Sequence, residues 1–129
     1  MMHKNIISLF LSLSFIVVLS GCSSGPKPLF VYGDYSEDYY AYKKDNSPKS
    51  DLKFQKSIEY AIENSEKSRS GKVAPGMYAN LGYIYLKSGN TQKAIDSFIK
   101  EKVEYPEATI FMDRMIQKTE LLKGDADAK

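Results

Sequence analysis

No stretch constrains the fold of this chain more than the run from Pro75 to Ala108, PGMYANLGYIYLKSGNTQKAIDSFIKEKVEYPEA. Tyr78, Leu81, Gly82 and Tyr85 recur at offsets of three, four and seven, which places them on one face of a helix. Gly89-Asn90 breaks that helix. Gly89 suits the left-handed residue that ends a helix, and Asn90 suits the cap of the next. Ala94, Ile95 and Phe98 then line one face of a second helix. Pro75 is expected in the first turn of the first helix, where its missing N–H costs nothing. Gly82 lets the second helix approach closely, with Ala94 the expected small residue opposite. Tyr105-Pro106 stops the second helix, because a proline pushes the residue before it out of helical geometry.

This hairpin resembles a single tetratricopeptide (TPR) repeat, a unit that mainly holds other proteins. Tyr78, Leu81, Gly82 and Tyr85 match the first helix of the repeat. Ala94 and Phe98 match the second, and Pro106 matches its terminating proline. Glu101 departs from the pattern, standing where the repeat carries a small residue at the contact with the following helix. Either this helix does not pack on its successor as an array would, or Glu101 reaches a cation such as Arg114. No second copy of the repeat is evident, so flanking helices must serve as its neighbours. Tyr83 and Lys87, on the less buried side of the first helix, are candidate partner-binding residues together with Glu101.

The flanks are expected to be helical, giving an all-α fold with supporting and capping helices around the pair and an aromatic N-terminal segment. Ser36, followed by Glu37 and Asp38, predicts a helix from about Glu37 to Lys44. Asp45 to Lys49 reads as a loop because Asn46, Ser47 and Pro48 disfavour helix continuation. A second helix is expected from Ser50 or Asp51 to about Ser68, with Leu52, Ile58, Ala61, Ile62 and Ser65 facing inward. The last helix is expected to run from Pro106 to about Leu122. Ile110, Phe111, Met115 and Leu122 would cover the end of the repeat as a capping helix does. Gly124 to Lys129 is expected to be a disordered polar tail.

Five of the ten tyrosines fall between Tyr32 and Tyr42. A domain this small needs apolar area, so packing is the favoured use of these rings. Exposed rings such as Tyr39 and Tyr40 would instead suit a partner or a glycan.

The beginning of the chain sets its location. Residues 1–21 combine Lys4, an apolar run from Ile6 to Leu19 and small residues before Cys22. The run is shorter than the ~20 residues that span a bilayer and fits a secretory signal peptide. Leu19-Ser20-Gly21-Cys22 resembles the lipobox of bacterial lipoproteins, which implies acylation of Cys22. That covalent acyl lipid is the only non-protein group expected, and it would anchor the chain to a membrane. Ser23 in place of an aspartate implies, by the same resemblance, an outer-membrane location facing the periplasm. Ser23 to Pro28 is a tether that reaches only ~20 Å when extended. The expected organisation is a signal peptide over 1–21, lipidated cysteine and tether over 22–28, a helical domain over 29–123 and a tail over 124–129.

With Lys4 removed, basic and acidic residues differ by one. That balance argues against a nucleic-acid footprint. The only histidine, His3, lies in the removed segment, leaving no His/Cys cluster for a metal and no histidine base for a serine nucleophile. The chain is therefore read as a binding protein and not as an enzyme.

Taken together, Val31-Tyr32-Gly33-Asp34-Tyr35, Pro75-Gly76, Leu81-Gly82-Tyr83 and Phe111-Met112-Asp113-Arg114 resemble a bacterial lipoprotein family catalogued as domain of unknown function 4810. The resemblance implies an envelope accessory role beside a partner lipoprotein related to the curli secretion channel. It brings no established binding residue. The expectation is a membrane-anchored periplasmic scaffold or accessory subunit of an outer-membrane secretion or assembly complex. The alternative is a glycan- or peptidoglycan-binding lipoprotein using the tyrosine-rich segment 32–42.

Overall fold

A computed structural model describes residues 25–45 and 47–127. The expected signal peptide and Cys22 lie outside the described residues. Within them the fold is all-α, as expected. Five helices follow in order: α1 (Tyr35–Asp45), α2 (Pro48–Glu63), α3 (Met77–Lys87), α4 (Thr91–Glu104) and α5 (Thr109–Asp127). Short 3-10 turns cover Ser65–Lys67 and Pro106–Ala108. Neighbours in sequence are neighbours in space: α1 packs on α2, α2 on α3, α3 on α4 and α4 on α5.

The central hairpin forms for the local reasons its sequence gives. Gly89 adopts φ 79° and ends α3, and the Lys93 N–H donates to Asn90 Oδ1 at 3.2 Å to cap α4. Tyr105 closes α4 in front of Pro106. Pro75, however, sits in the turn before α3 and outside its first helical position, because Gly76 is the N-cap.

The helix boundaries upstream also differ from expectation. α1 begins at Tyr35, and the Asp38 N–H donates to the Asp34 carbonyl at 3.0 Å. Ser36 thus lies inside the first turn. Pro48 starts α2 where a loop was expected, since Ser47 and Ser50 form a reciprocal cap ahead of it. The Ser50 N–H donates to Ser47 Oγ at 3.2 Å, and the Ser47 N–H donates to Ser50 Oγ at 3.0 Å. Proline is favoured at that first position because its N–H would be unsatisfied anyway. α2 ends at Glu63, short of Ser68. There the Asn64 side chain donates to the Tyr60 carbonyl at 2.8 Å and competes with continuation.

The inward face of α2 is built on Phe54, Ile58 and Ala61, with Ser50 and Ser57 beside them. Leu52, expected inside, is exposed, whereas Phe54 retains only 2% of its surface. The tyrosines decide that rotation. Rings of Tyr35, Tyr39 and Tyr42 lie 5.2, 5.4 and 5.1 Å from the Phe54 ring. Two apolar clusters result. One joins α1, α2 and α3 through Tyr42, Phe54, Ile58, Ala61, Met77, Leu81 and Ile84. The other joins α4 and α5 through Ala94, Phe98 and Met112. Tyr85 packs against both.

α5 presents a different face from the one expected. Met112 and Thr119 are buried and Met115 and Ile116 are half-buried, while Ile110, Phe111 and Leu122 are exposed. The inward set falls at offsets of three, four and seven, the spacing of a single helical stripe, which Ile110, Phe111, Met115 and Leu122 do not share. The helix also continues through Gly124 to Asp127, where a tail was expected.

Candidate functional site

Glu101 organises the middle of the molecule. It is 3% exposed, and its carboxylate accepts from the Gly76 N–H at 2.7 Å and the Ala79 N–H at 3.2 Å. The first N–H groups of a helix have no partner within it. Gly76, at φ 84°, offers no side chain to cap α3. Glu101 supplies the cap from across the hairpin, with its charge at the positive end of the helix. The expected pairing with Arg114 is not made: the carboxylate binds α3, while α4 packs on α5. Glu101 is also removed from the candidate partner-binding residues, being enclosed by its own fold.

At Gly82, α3 makes room for a side chain of α4. A Cβ there would lie 2.6 Å from Phe98 Cε1. The residue that needs this space is therefore Phe98. Ala94 is buried with Phe98 and Met112 in a cluster on which Ala79, Tyr85 and Leu86 of α3 pack.

Beside this contact, α3 and α5 diverge and leave an apolar groove of about 160 Å³, lined by Ala79, Asn80, Tyr83, Phe98, Phe111, Met112 and Met115. Tyr83 and Phe111 stand exposed at its two sides. The Asn80 side chain is turned away from solvent by donating to the Tyr35 hydroxyl at 2.9 Å. Of the candidate partner-binding residues, only Tyr83 lies in this groove. Phe111, expected to cover the end of the repeat, stands here because Met112 and Thr119 take the inward stripe of α5.

Lys87 is engaged elsewhere. Its Nζ lies 2.9 Å from Asp51 Oδ1 and 4.9 Å from the centre of the Tyr42 ring. The Asp51 hydrogen bond raises its pKa above the ordinary lysine value. It ties α3 to α2. Tyr39 is stacked on Tyr35 at 6.1 Å and leans on Phe54, while Tyr40 is 67% exposed. The tyrosine cluster therefore divides between packing and exposure.

A second, more polar cleft of about 430 Å³ lies between the start of α1 and α2, lined by Gly33, Asp34, Asp38, Lys53, Lys56, Ser57 and Tyr60. Asp38 is buried there, with Lys53 Nζ 2.7 Å from its Oδ1. That hydrogen bond raises the Lys53 pKa. The pair was not legible in sequence because its members sit on different helices. Among the described residues no group of three or more His, Cys, Asp or Glu could hold a metal ion. None of their helices is long and apolar enough to cross a membrane.

The tether is also fixed further toward the N-terminus than its sequence suggests. The Arg69 N–H donates to the Pro28 carbonyl at 2.9 Å, and the Ser70 N–H donates to the Leu29 carbonyl at 3.2 Å.

These features define a small all-α protein of stacked helices with an apolar groove between α3 and α5. The chain belongs to the family described as domain of unknown function DUF4810, whose model matches residues 29–115. No curated protein and no solved structure matches the chain.

Proposed function

We propose that this chain is a membrane-anchored periplasmic lipoprotein, held by acyl lipid on Cys22, that acts as a non-enzymatic scaffold or accessory subunit of an outer-membrane secretion or assembly complex. The observation that carries this reading is the groove between α3 and α5, with Tyr83 and Phe111 exposed beside it. Aromatic side chains at the centre of an exposed apolar patch are the usual anchors of protein interfaces. The TPR reading is supported by the inward residues of α5. Met112, Met115, Ile116 and Thr119 each lie one repeat length, ~34 residues, after Tyr78, Leu81, Gly82 and Tyr85. On this reading α5 is the first helix of a second repeat unit.

The experiment is capture of the lipidated protein from cross-linked membranes, with and without Tyr83→Ala. A membrane-associated partner should be recovered with the native chain and lost with the variant. Equal recovery from both would count against the scaffold. In the same membranes Cys22→Ser should move the protein out of the membrane fraction.

Binding of peptidoglycan by segment 32–42 is the second reading, favoured by the exposure of Tyr40 and by the polar cleft nearby. Tyr40→Ala is its clean test, because Tyr39 supports Phe54 and its loss would disturb the core. Retention on purified sacculi that disappears in Tyr40→Ala would favour this reading over the scaffold.

A further inference from the structure

The outer face of α5 has a definite layout. Ile110 (72% exposed) and Phe111 (61%) stand at its N-terminal end, and Leu121 (67%) and Leu122 (47%) at its C-terminal end. At ~1.5 Å per residue the two apolar pairs lie about 16 Å apart. Between them, within the same part of the helix surface at ~100° per residue, stand Arg114 and Lys118, both exposed. No carboxylate of the described residues pairs with either. The acidic side chains nearest in sequence are turned away: Asp113 pairs with Lys102 across to α4, and Glu120 lies on the other side of the helix. The face therefore reads apolar, cationic, apolar.

Scattered apolar residues on a surface need no explanation, but a patch that extends a groove does. The end at Ile110 and Phe111 is continuous with the apolar groove, since Phe111 lines both. Among the described residues no helix packs on the outer face. Two occupants fit its length: a second copy of α5, or a helix of another protein. An isologous pair of antiparallel α5 helices would bring Ile110 and Phe111 of one copy to Leu122 and Leu121 of the other. The same symmetry would bring Arg114 to Lys118 at the two-fold axis, setting like charges together at the centre of the contact. Charge complementarity selects the other occupant.

We infer that the outer face of α5 docks an amphipathic helix of a partner protein bearing two apolar pairs about eleven residues apart with acidic residues between them. The apolar pairs seat on Ile110, Phe111, Leu121 and Leu122, and the acids meet Arg114 and Lys118. This rests on the scaffold reading and gives its partner a chemistry.

The probes are two synthetic helices of ~20 residues, long enough to be helical alone. They share that apolar layout and carry either glutamates or lysines between the pairs. Binding to the lipidated full chain in zwitterionic lipid nanodiscs is read by fluorescence anisotropy, with empty nanodiscs as the blank. The glutamate peptide should bind preferentially and weaken as salt is raised. The double variant Phe111→Ala/Leu122→Ala should weaken it about tenfold or more. Arg114→Glu/Lys118→Glu should reverse the order of the two peptides, and Ile99→Ala/Val103→Ala, on the outer face of α4, should leave binding unchanged.

Equal binding of the two peptides, an order that survives charge reversal, or equal weakening by the α4 variant would overturn the inference. A native dimer abolished by Phe111→Ala/Leu122→Ala would also overturn it, assigning the face to a second copy. Loss of peptide selectivity with Tyr83-dependent partner capture intact removes this chemistry and leaves the scaffold standing. The opposite result removes the scaffold and leaves the face.

Discussion

Glu101 carries more of the hairpin than a charged side chain on the inward face of a helix usually does. Its carboxylate occupies the N-terminus of α3, and both of its hydrogen bonds are made to backbone N–H groups. Removing a charged acceptor from buried donors costs their desolvation as well as the bonds. Glu101→Ala should therefore lower stability by about 2 to 3 kcal/mol, read as a fall in the urea midpoint. Glu101→Gln keeps a neutral acceptor and should lose about half as much. Equal stability of all three proteins would mean the cap contributes nothing. Gly82 is the second such position. Adding a methyl group 2.6 Å from a Phe98 ring carbon forces the ring or the helix to move. Gly82→Ala should cost about 1 to 3 kcal/mol. Combining it with Phe98→Leu should cost less than the sum of the two single changes, since the smaller side chain frees the space. Strict additivity would place the strain elsewhere.

The first two helices are joined by aromatic packing around Phe54, to which Tyr35, Tyr39 and Tyr42 all contribute rings. Phe54→Ala should cost about 3 to 5 kcal/mol and abolish cooperative melting in a domain of this size. The tyrosines also give a pH dependence with a definite sign. Burial raises the pKa of Tyr35, Tyr42, Tyr78, Tyr85 and Tyr105 above the ordinary value of 10.0. In the unfolded chain these hydroxyls ionise near that value, while the folded chain holds its protons longer. Their stabilisation is complete below it and is lost as pH climbs through the raised values. Lys53 and Lys87, raised by Asp38 and Asp51, act in the same direction. Thermal melts should be level up to about pH 10 and fall above it, together with the rise of tyrosinate absorbance. A melting temperature that held steady through that rise would contradict the burial of these rings.

Across the whole molecule, two apolar clusters meet at Tyr85, whose hydroxyl donates to Glu59 at 3.1 Å on α2 while Lys93 of α4 covers its ring at 5.3 Å. One side chain thus couples α2, α3 and α4. The outer face of α5 lies outside this coupling, so Phe111→Ala/Leu122→Ala should change unfolding stability by only about 0.5 kcal/mol. A larger loss in calorimetry would show that the face belongs to the core. The all-α class, the hairpin from Met77 to Glu104 and the caps at Gly89 and Asn90 were legible in sequence. Those signals act over a few residues, through periodicity and local backbone bonds. The groove was half legible, through Tyr83. Phe111 and Glu101 were misplaced, because each depends on packing against a segment outside its own stretch of sequence. Glu101 caps a helix whose N-cap, Gly76, lies 25 residues earlier. Phe111 is turned outward because Met112 and Thr119 pack inward. Local pattern thus settled that the hairpin is helical and where it turns. Which face each helix buries was settled by packing. Ring contacts, buried donors and helix phase act between segments, and no window of sequence contains both partners.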